Sequence, residues 1–251
     1  MRSRSYSSVT DDIKSFGNLN KRGYPNFNEY ILIDLIKHNT VFKRGASLGH
    51  IHHDEFNIWQ DYFCSDQYNK PAGKKIAFLQ VCSWSKPYDF SYIGKKIRSV
   101  TDKYELVHPI ILSNAGVIPY EYQMNPTFCS YDWIEKENEE NLEELRSEFR
   151  EVLLERIERY LSSNKYDVVV QYGIPSKEHS MAPLIKEISN KLGMRYHSTP
   201  DVDTYREVKS KLVELRDPGE FFCLDEVLIS LDKSLSKVSK YVESLSGSTS
   251  V

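Results

Sequence analysis

The spacing of apolar positions changes several times along the chain. Ile31, Leu32, Leu35 and Ile36 fall at helical intervals and predict a short helix that ends near Gly45. Asp54 then caps a second predicted helix, which carries Phe56, Ile58, Trp59 and Phe63 inward. Helical spacing next gives way to short unbroken apolar runs at 75–81, 107–112 and 166–172. Runs of that length between turn residues predict strands covered on both faces, as in a parallel sheet. Helical stretches separate them at about 91–102, 138–163 and 177–192, and 194–197 predicts a fourth strand. The longest of these helices places Leu142, Leu145, Phe149, Val152, Leu153, Ile157 and Tyr160 on one side. Strands alternating with helices predict a three-layer α/β domain with a mostly parallel sheet and right-handed crossovers.

The two ends read differently. Residues 1–24 are polar with Gly17 and Gly23 as breakers, and no apolar stretch follows Arg2 and Arg4, so a frayed tail is expected rather than a secretory signal. Asp217-Pro218-Gly219 is a second break. After it Phe221, Leu224, Leu228, Leu231, Leu235, Val238, Val242 and Leu245 recur in steps of three and four, a heptad-like seam. Its flanking positions offer no complementary charge pairs. It therefore reads as a long helix docking on its own domain or as a surface that recruits a partner. The organisation expected is a helical lead over 1–69, an α/β core over 70–200, and a helical extension over 201–251 with a polar end from Ser246.

Composition narrows the function. Hydrophobic residues make up 40% of the 251 and charged residues 27%, which is enough for a packed core and argues against global disorder. No apolar run approaches the roughly 20 residues that cross a bilayer, so no membrane association is expected. The balance of 33 basic against 36 acidic residues, a net charge of −3, is unlike that of a protein coating nucleic acid through general attraction to phosphate. A local basic rim of Lys74, Lys75, Lys86, Lys95, Lys96 and Arg98 stays open. Cys64, Cys82, Cys129 and Cys223 are widely spaced and include no Cys-x-x-Cys pair, which argues against a zinc knuckle, an iron–sulfur cluster and a disulfide scaffold. A reducing cytoplasm and no cofactor are the resulting expectations. His50, His52 and His53 cluster on a polar stretch without a spacing that completes a metal site; His179 and His197 stand near strand ends.

In open α/β sheets ligands gather at the carboxyl ends of strands. The first predicted strand runs into Cys82-Ser83-Trp84-Ser85-Lys86-Pro87-Tyr88-Asp89-Phe90-Ser91, where a thiol, an amine, a phenol and hydroxyls lie close together. The plain reading is a strand end, a proline turn and an N-cap at Asp89 or Ser91. The second ends in Ser113-Asn114-Ala115-Gly116-Val117-Ile118-Pro119-Tyr120-Glu121, and a loop leads on to Ser130-Tyr131-Asp132-Trp133. These segments resemble the catalytic core of the archaeosine synthase family, which acts on 7-cyano-7-deazaguanine (preQ0) in tRNA. The family signature Pro-Cys-x3-Lys-Pro-Tyr-x2-Ser-x2-His is matched by Cys82, Lys86, Pro87, Tyr88 and Ser91, with Val81 and Gly94 in place of its first and last residues. A second block, Ser-x-x-Gly-Val-Val-Pro-x-Glu followed by Tyr-Asp, is matched by Ser113, Gly116, Val117, Ile118, Pro119, Glu121, Tyr131 and Asp132.

The resemblance spans about 50–200 and implies a Rossmann-like core similar to uracil-DNA glycosylases. It also implies addition of an amine, lysine in the family, to the nitrile of preQ0, in tRNA or as a free deazaguanine. A separate radical enzyme then acts on the adduct; with no Cys-x3-Cys-x2-Cys cluster, this chain is not that enzyme, and the partner that the 221–245 seam would recruit is then that enzyme or a delivery subunit. The site residues so implied are Cys82, Lys86, Tyr88, Ser91 and Asp132 for chemistry and Ser113, Asn114, Gly116, Glu121 and Tyr131 for binding. A binding protein that has lost the chemistry, and a base-excising glycosylase, are the alternative readings.

Overall fold

The computed structural model describes residues 43–83, 85–123, 125–129, 131–135, 141–175, 180–215 and 217–247. The helix expected around Ile31, Trp84, Ser130, His179 and the chain's end from Ser248 lie outside the described residues.

In chain order the elements are β1 (Lys43–Arg44), α1 (Leu48–Ile51), α2 (Asp54–Phe63), β2 (Ile76–Val81), a 3-10 turn (Tyr88–Phe90), α3 (Tyr92–Thr101), β3 (Val107–Ser113) and β4 (Gly116–Pro119). Then come α4 (Pro126–Cys129), β5 (Tyr131–Asp132), α5 (Leu142–Ser163), β6 (Val168–Tyr172), α6 (Ala182–Lys191), β7 (Arg195–Thr199), α7 (Val202–Val208) and α8 (Asp225–Gly247). The strands expected at 75–81, 107–112, 166–172 and 194–197 are therefore present within two residues of their bounds.

The main sheet has the order β4-β3-β2-β6-β7. β2 pairs parallel with β3 and with β6, and β6 parallel with β7; β4 alone runs antiparallel, folded back on β3. Successive residues of β2 serve opposite faces, as the strand period requires. Ala77 and Leu79 join Phe56, Trp59 and Phe63 of α2, Leu153 and Ile157 of α5, and Ile185 of α6 in one core. Ile76 and Phe78 join Ile97 and Val100 of α3 and the stripe Val227, Leu231, Leu235, Val238 and Val242 of α8 in the other. The fold is a Rossmann-like three-layer sandwich.

Two expectations need correction. The stretch from Ser113, read as a strand end leading into a loop, instead doubles back as a tight β3–β4 hairpin over 113–119, followed by a 3-10 turn at Tyr120–Tyr122. Gly116 turns the hairpin at φ +105°, and a Cβ there would lie 2.7 Å from Gln60 Cδ. Gln60 needs that space because its carboxamide takes the Val117 N–H at 3.0 Å and donates to the Val117 carbonyl at 3.1 Å, closing the edge of β4. The α8 seam, offered as a recruiting surface, lies mostly inside the chain's own second core; Ile229 and Leu245 remain exposed. Its buried stripe begins at Val227, because burial follows the face that meets the sheet. Tyr104 Oη fastens the helix by donating to the Asp232 carbonyl at 2.9 Å.

Candidate active site

Past the carboxyl end of β2 the chain turns sharply, and Asp89 holds the turn. Its carboxylate takes hydrogen bonds from Arg98 Nη1 at 2.7 Å and Tyr120 Oη at 2.5 Å, and its N–H donates to Gln123 Oε1 at 2.9 Å. Ser91 is the N-cap of α3: its hydroxyl donates to the Tyr88 carbonyl at 2.7 Å and accepts the Gly94 N–H at 2.8 Å. A Cβ on Gly94 would stand 2.0 Å from the Tyr88 carbonyl oxygen. The turn thus closes directly over Gly94, and no side chain has room there.

This turn delivers Lys86 to a cleft of about 160 Å³ lined by Cys82, Ser83, Lys86, Asn114, Tyr131, Asp132, Trp133 and Ile134. The opposite wall is β5, held by its parallel pairing with β1, in which Lys43 faces Tyr131 and Arg44 faces Asp132. The Lys86 side chain is only 8% exposed, with Nζ 3.7 Å from Asp132 Oδ1 and 4.2 Å from the centre of the Tyr131 ring. Burial pulls its ammonium below the ordinary lysine range, while the Asp132 carboxylate pulls it back up. Burial raises the Cys82 thiol, with the Lys86 cation opposing, so the sulfur is held protonated. Behind the cleft the Tyr88 and Tyr131 hydroxyls meet at 2.6 Å. Burial lifts both phenols above their usual range, and the Ser113 hydroxyl works against that rise.

Of the residues singled out in the sequence, Cys82, Lys86, Asn114, Tyr131 and Asp132 share this cleft. Tyr88 and Ser113 support it from behind. Ser91 is committed to its cap and Gly116 to the hairpin. Glu121 lies elsewhere: its carboxylate takes the Tyr68 hydroxyl at 2.7 Å and meets His108 Nε2 at 2.8 Å. His108 Nδ1 meets Tyr166 Oη at 2.8 Å, Tyr166 meets Tyr160 at 3.0 Å and Tyr160 meets Tyr68 at 3.3 Å, so the five side chains form a closed, buried ring.

The expected basic rim does not assemble. Lys74 donates to the Glu105 carbonyl before β3, at the sheet's other edge, and Arg98 is paired with Asp89 and Asp102. The three early histidines also diverge. His52 pairs with Glu148 at 2.9 Å, and His53 Nδ1 caps α2 by accepting the Glu55 N–H at 3.2 Å, in the place expected for Asp54. His50 is 7% exposed and packs edge-on to Tyr131 and Trp133. Burial, then the Lys43 cation, lower its pKa to about 4, so it is neutral near pH 7. Ile134, in the cleft lining, and His50, packed behind Tyr131 and Trp133, escaped sequence reasoning in these places; the nearest signals were the Tyr131-Asp132 match and the early histidine cluster.

Comparison with known proteins now adds a family. Residues 59–216 match the model described as "Domain of unknown function (DUF5591)". The chain belongs to the DUF5591 family. The match takes in Cys82, Lys86, Tyr131 and Asp132, whereas β1, α1 and α8 of this DUF5591 protein lie outside it. The crystal structure of AF0587, a protein of unknown function, is similar at 16% identity and a TM-score of 0.43, over 72% of this chain and 49% of that one. The chain therefore spans about half the length of that protein. No curated protein matches.

A second cleft, of about 420 Å³, lies between α7 and α8. It is larger and is lined by a different set of side chains, among them His197, Ser230, Lys233 and Lys237.

Proposed function

We propose that this DUF5591 protein adds an amine to the nitrile of 7-cyano-7-deazaguanine, in the manner of the archaeosine synthases it resembles. The observation that carries the reading is Lys86: a buried cation at the carboxyl edge of the sheet, set between the Asp132 carboxylate and the Tyr131 ring. In the addition the amine nitrogen bonds to the nitrile carbon, one π bond of the nitrile opens, and a proton of the amine ends on the nitrile nitrogen. The product is a substituted amidine and nothing leaves.

Two proton tasks follow. The incoming ammonium must lose a proton, and Asp132 at the cleft wall is the base and anchor for it. The developing charge on the nitrile nitrogen needs a proton, and Lys86, acidified by burial, supplies it and recovers one from Asp132 across 3.7 Å. The Tyr131 and Trp133 rings offer flat apolar walls to a heterocyclic base, and the Asn114 carboxamide offers paired donor and acceptor groups. Attack by Cys82 to form a thioimide is the less favoured route, because burial holds the sulfur as a thiol.

A second reading has its own observation. Gly94 stands where the family signature has histidine, and the turn leaves no room for any side chain. A protein that binds the base without transforming it fits that departure. Calorimetric titration of free preQ0 into the wild type and Lys86→Met checks the site common to both readings. At least tenfold weaker binding by the variant is expected; equal affinity contradicts the assignment of the cleft.

A further inference from the structure

The larger cleft lies outside the site described above, and its chemistry is of another kind. α8 presents two faces. Val227, Leu231, Leu235, Val238 and Val242 pack on the sheet, whereas Glu226, Ser230, Lys233 and Lys237, at intervals of four, three and four, fall on a second face roughly 120° around the helix by the 3.6-residue turn. That second face forms one wall of the cleft; α7 supplies Thr204 and Glu207, and β7 supplies His197.

The groups not already engaged there are mostly hydrogen-bond donors. Ser230 is 5% exposed and its Oγ is buried without a hydrogen-bond partner. His197 Nε2 is also buried without a partner. Unpaired polar atoms at a cleft wall carry a desolvation cost that a bound ligand would relieve. Lys233 and Lys237 bring two ammonium groups to the same wall. Of the three carboxylates, Asp201 accepts the Thr204 N–H at 2.7 Å as the cap of α7, and Glu226 is paired with Lys211. Asp201 keeps its charge, its carboxyl held below the usual range by the Thr204 hydrogen bond and, further, by Lys233 beside it, and Glu207 is the third carboxylate of the lining.

We propose that the α7–α8 cleft binds a phosphate group, with Lys233 and Lys237 as its cations and Ser230 and His197 as its buried donors. Free phosphate and the backbone of a nucleic acid share this chemistry. The proposal is independent of the deazaguanine reading, because none of these residues lines the Lys86 cleft.

The test is calorimetric titration of the full chain with inorganic phosphate and, separately, with a short single-stranded RNA. Phosphate is expected to bind the wild type and to bind Lys233→Ala/Lys237→Ala at least tenfold more weakly, with Lys233→Arg/Lys237→Arg restoring affinity. Glu207→Gln is expected to tighten binding, since it removes one of the opposing charges of the lining; a cation site would respond the other way. RNA binding lost in the same double alanine variant identifies the backbone as the source, and RNA binding unchanged identifies the free anion. No heat with millimolar phosphate, equal affinity in the double alanine variant, or weaker binding in Glu207→Gln overturns the proposal.

Discussion

At the scale of single residues, the Lys86 turn shows how closely chemistry and packing are joined. Gly94 sits in the first turn of α3, where alanine would ordinarily favour the helix by about 1 kcal/mol. Here a Cβ would meet the Tyr88 carbonyl at 2.0 Å, so the sign reverses. Gly94→Ala is expected to destabilise the protein by about 2–3 kcal/mol, as overpacking of a tight site does, and to displace Lys86 from Asp132. Urea denaturation checks the first point and preQ0 affinity the second. His50 supplies a pH signature. Its pKa is about 4 in the folded protein and 6.5 ordinarily, so between those values the unfolded chain holds a proton that the folded chain does not. Stability contributed by the neutral ring is complete above pH 6.5 and falls as pH drops toward 4, by about 3 kcal/mol in all. Urea midpoints at pH 7 and pH 4 should differ less in His50→Phe than in the wild type.

At the scale of elements, the patterns that could be read in advance were those set by local spacing. The runs at 75–81, 107–112 and 166–172 became β2, β3 and β6 because unbroken apolar segments have no stable place except between two covered faces. The 113–121 segment was misread because β4 is only four residues long and its edge is satisfied by Gln60, a residue 57 positions away. Glu121 was misassigned for a similar reason: a carboxylate in a matched block looks like a ligand contact until Tyr68 and His108 are found on either side of it. Loss of the Glu121 carboxylate leaves two buried groups, the Tyr68 hydroxyl and His108 Nε2, without their partner, at about 1–3 kcal/mol each. Glu121→Ala should therefore lower stability by about the sum of the two in urea melts while leaving preQ0 affinity of the folded protein unchanged. α8 carries the same lesson in reverse. Its spacing was legible, but not whether the sheet or a partner received it. Leu235→Ala should cost about 2–5 kcal/mol, the range for a leucine deleted from a closed core, as read by urea denaturation.

At the scale of the whole molecule, the family-matched region leaves two parts of this structure to be supplied from outside it. β1 and α1 brace the wall that holds Tyr131 and Asp132, and α8 covers one face of the sheet. One wall of the Lys86 cleft is therefore braced from outside the matched region. Among the described residues no helix is long and apolar enough to cross a membrane. The cleft's position, past the carboxyl end of β2 and beside that of β3, follows from parallel strands that all deliver their following loops to one edge. Cys82 and Asn114 were legible as site residues on that rule alone. Asp132 and Tyr131 were reached only through the resemblance, since a two-residue strand has no periodicity to read.

The central claim is that amine addition to a nitrile takes place beside Lys86. Its most direct test is mass spectrometry after the full chain is incubated with isotopically labelled lysine and preQ0, both free and carried in tRNA. The expected product is preQ0 plus one intact labelled lysine, with no water lost. It should form about 100-fold or more slowly with Lys86→Met, in the range of a missing proton donor. Bound preQ0 recovered unchanged from the wild type, with no adduct to lysine or to any other amine supplied, would contradict the claim and leave the binding protein as the reading of this cleft.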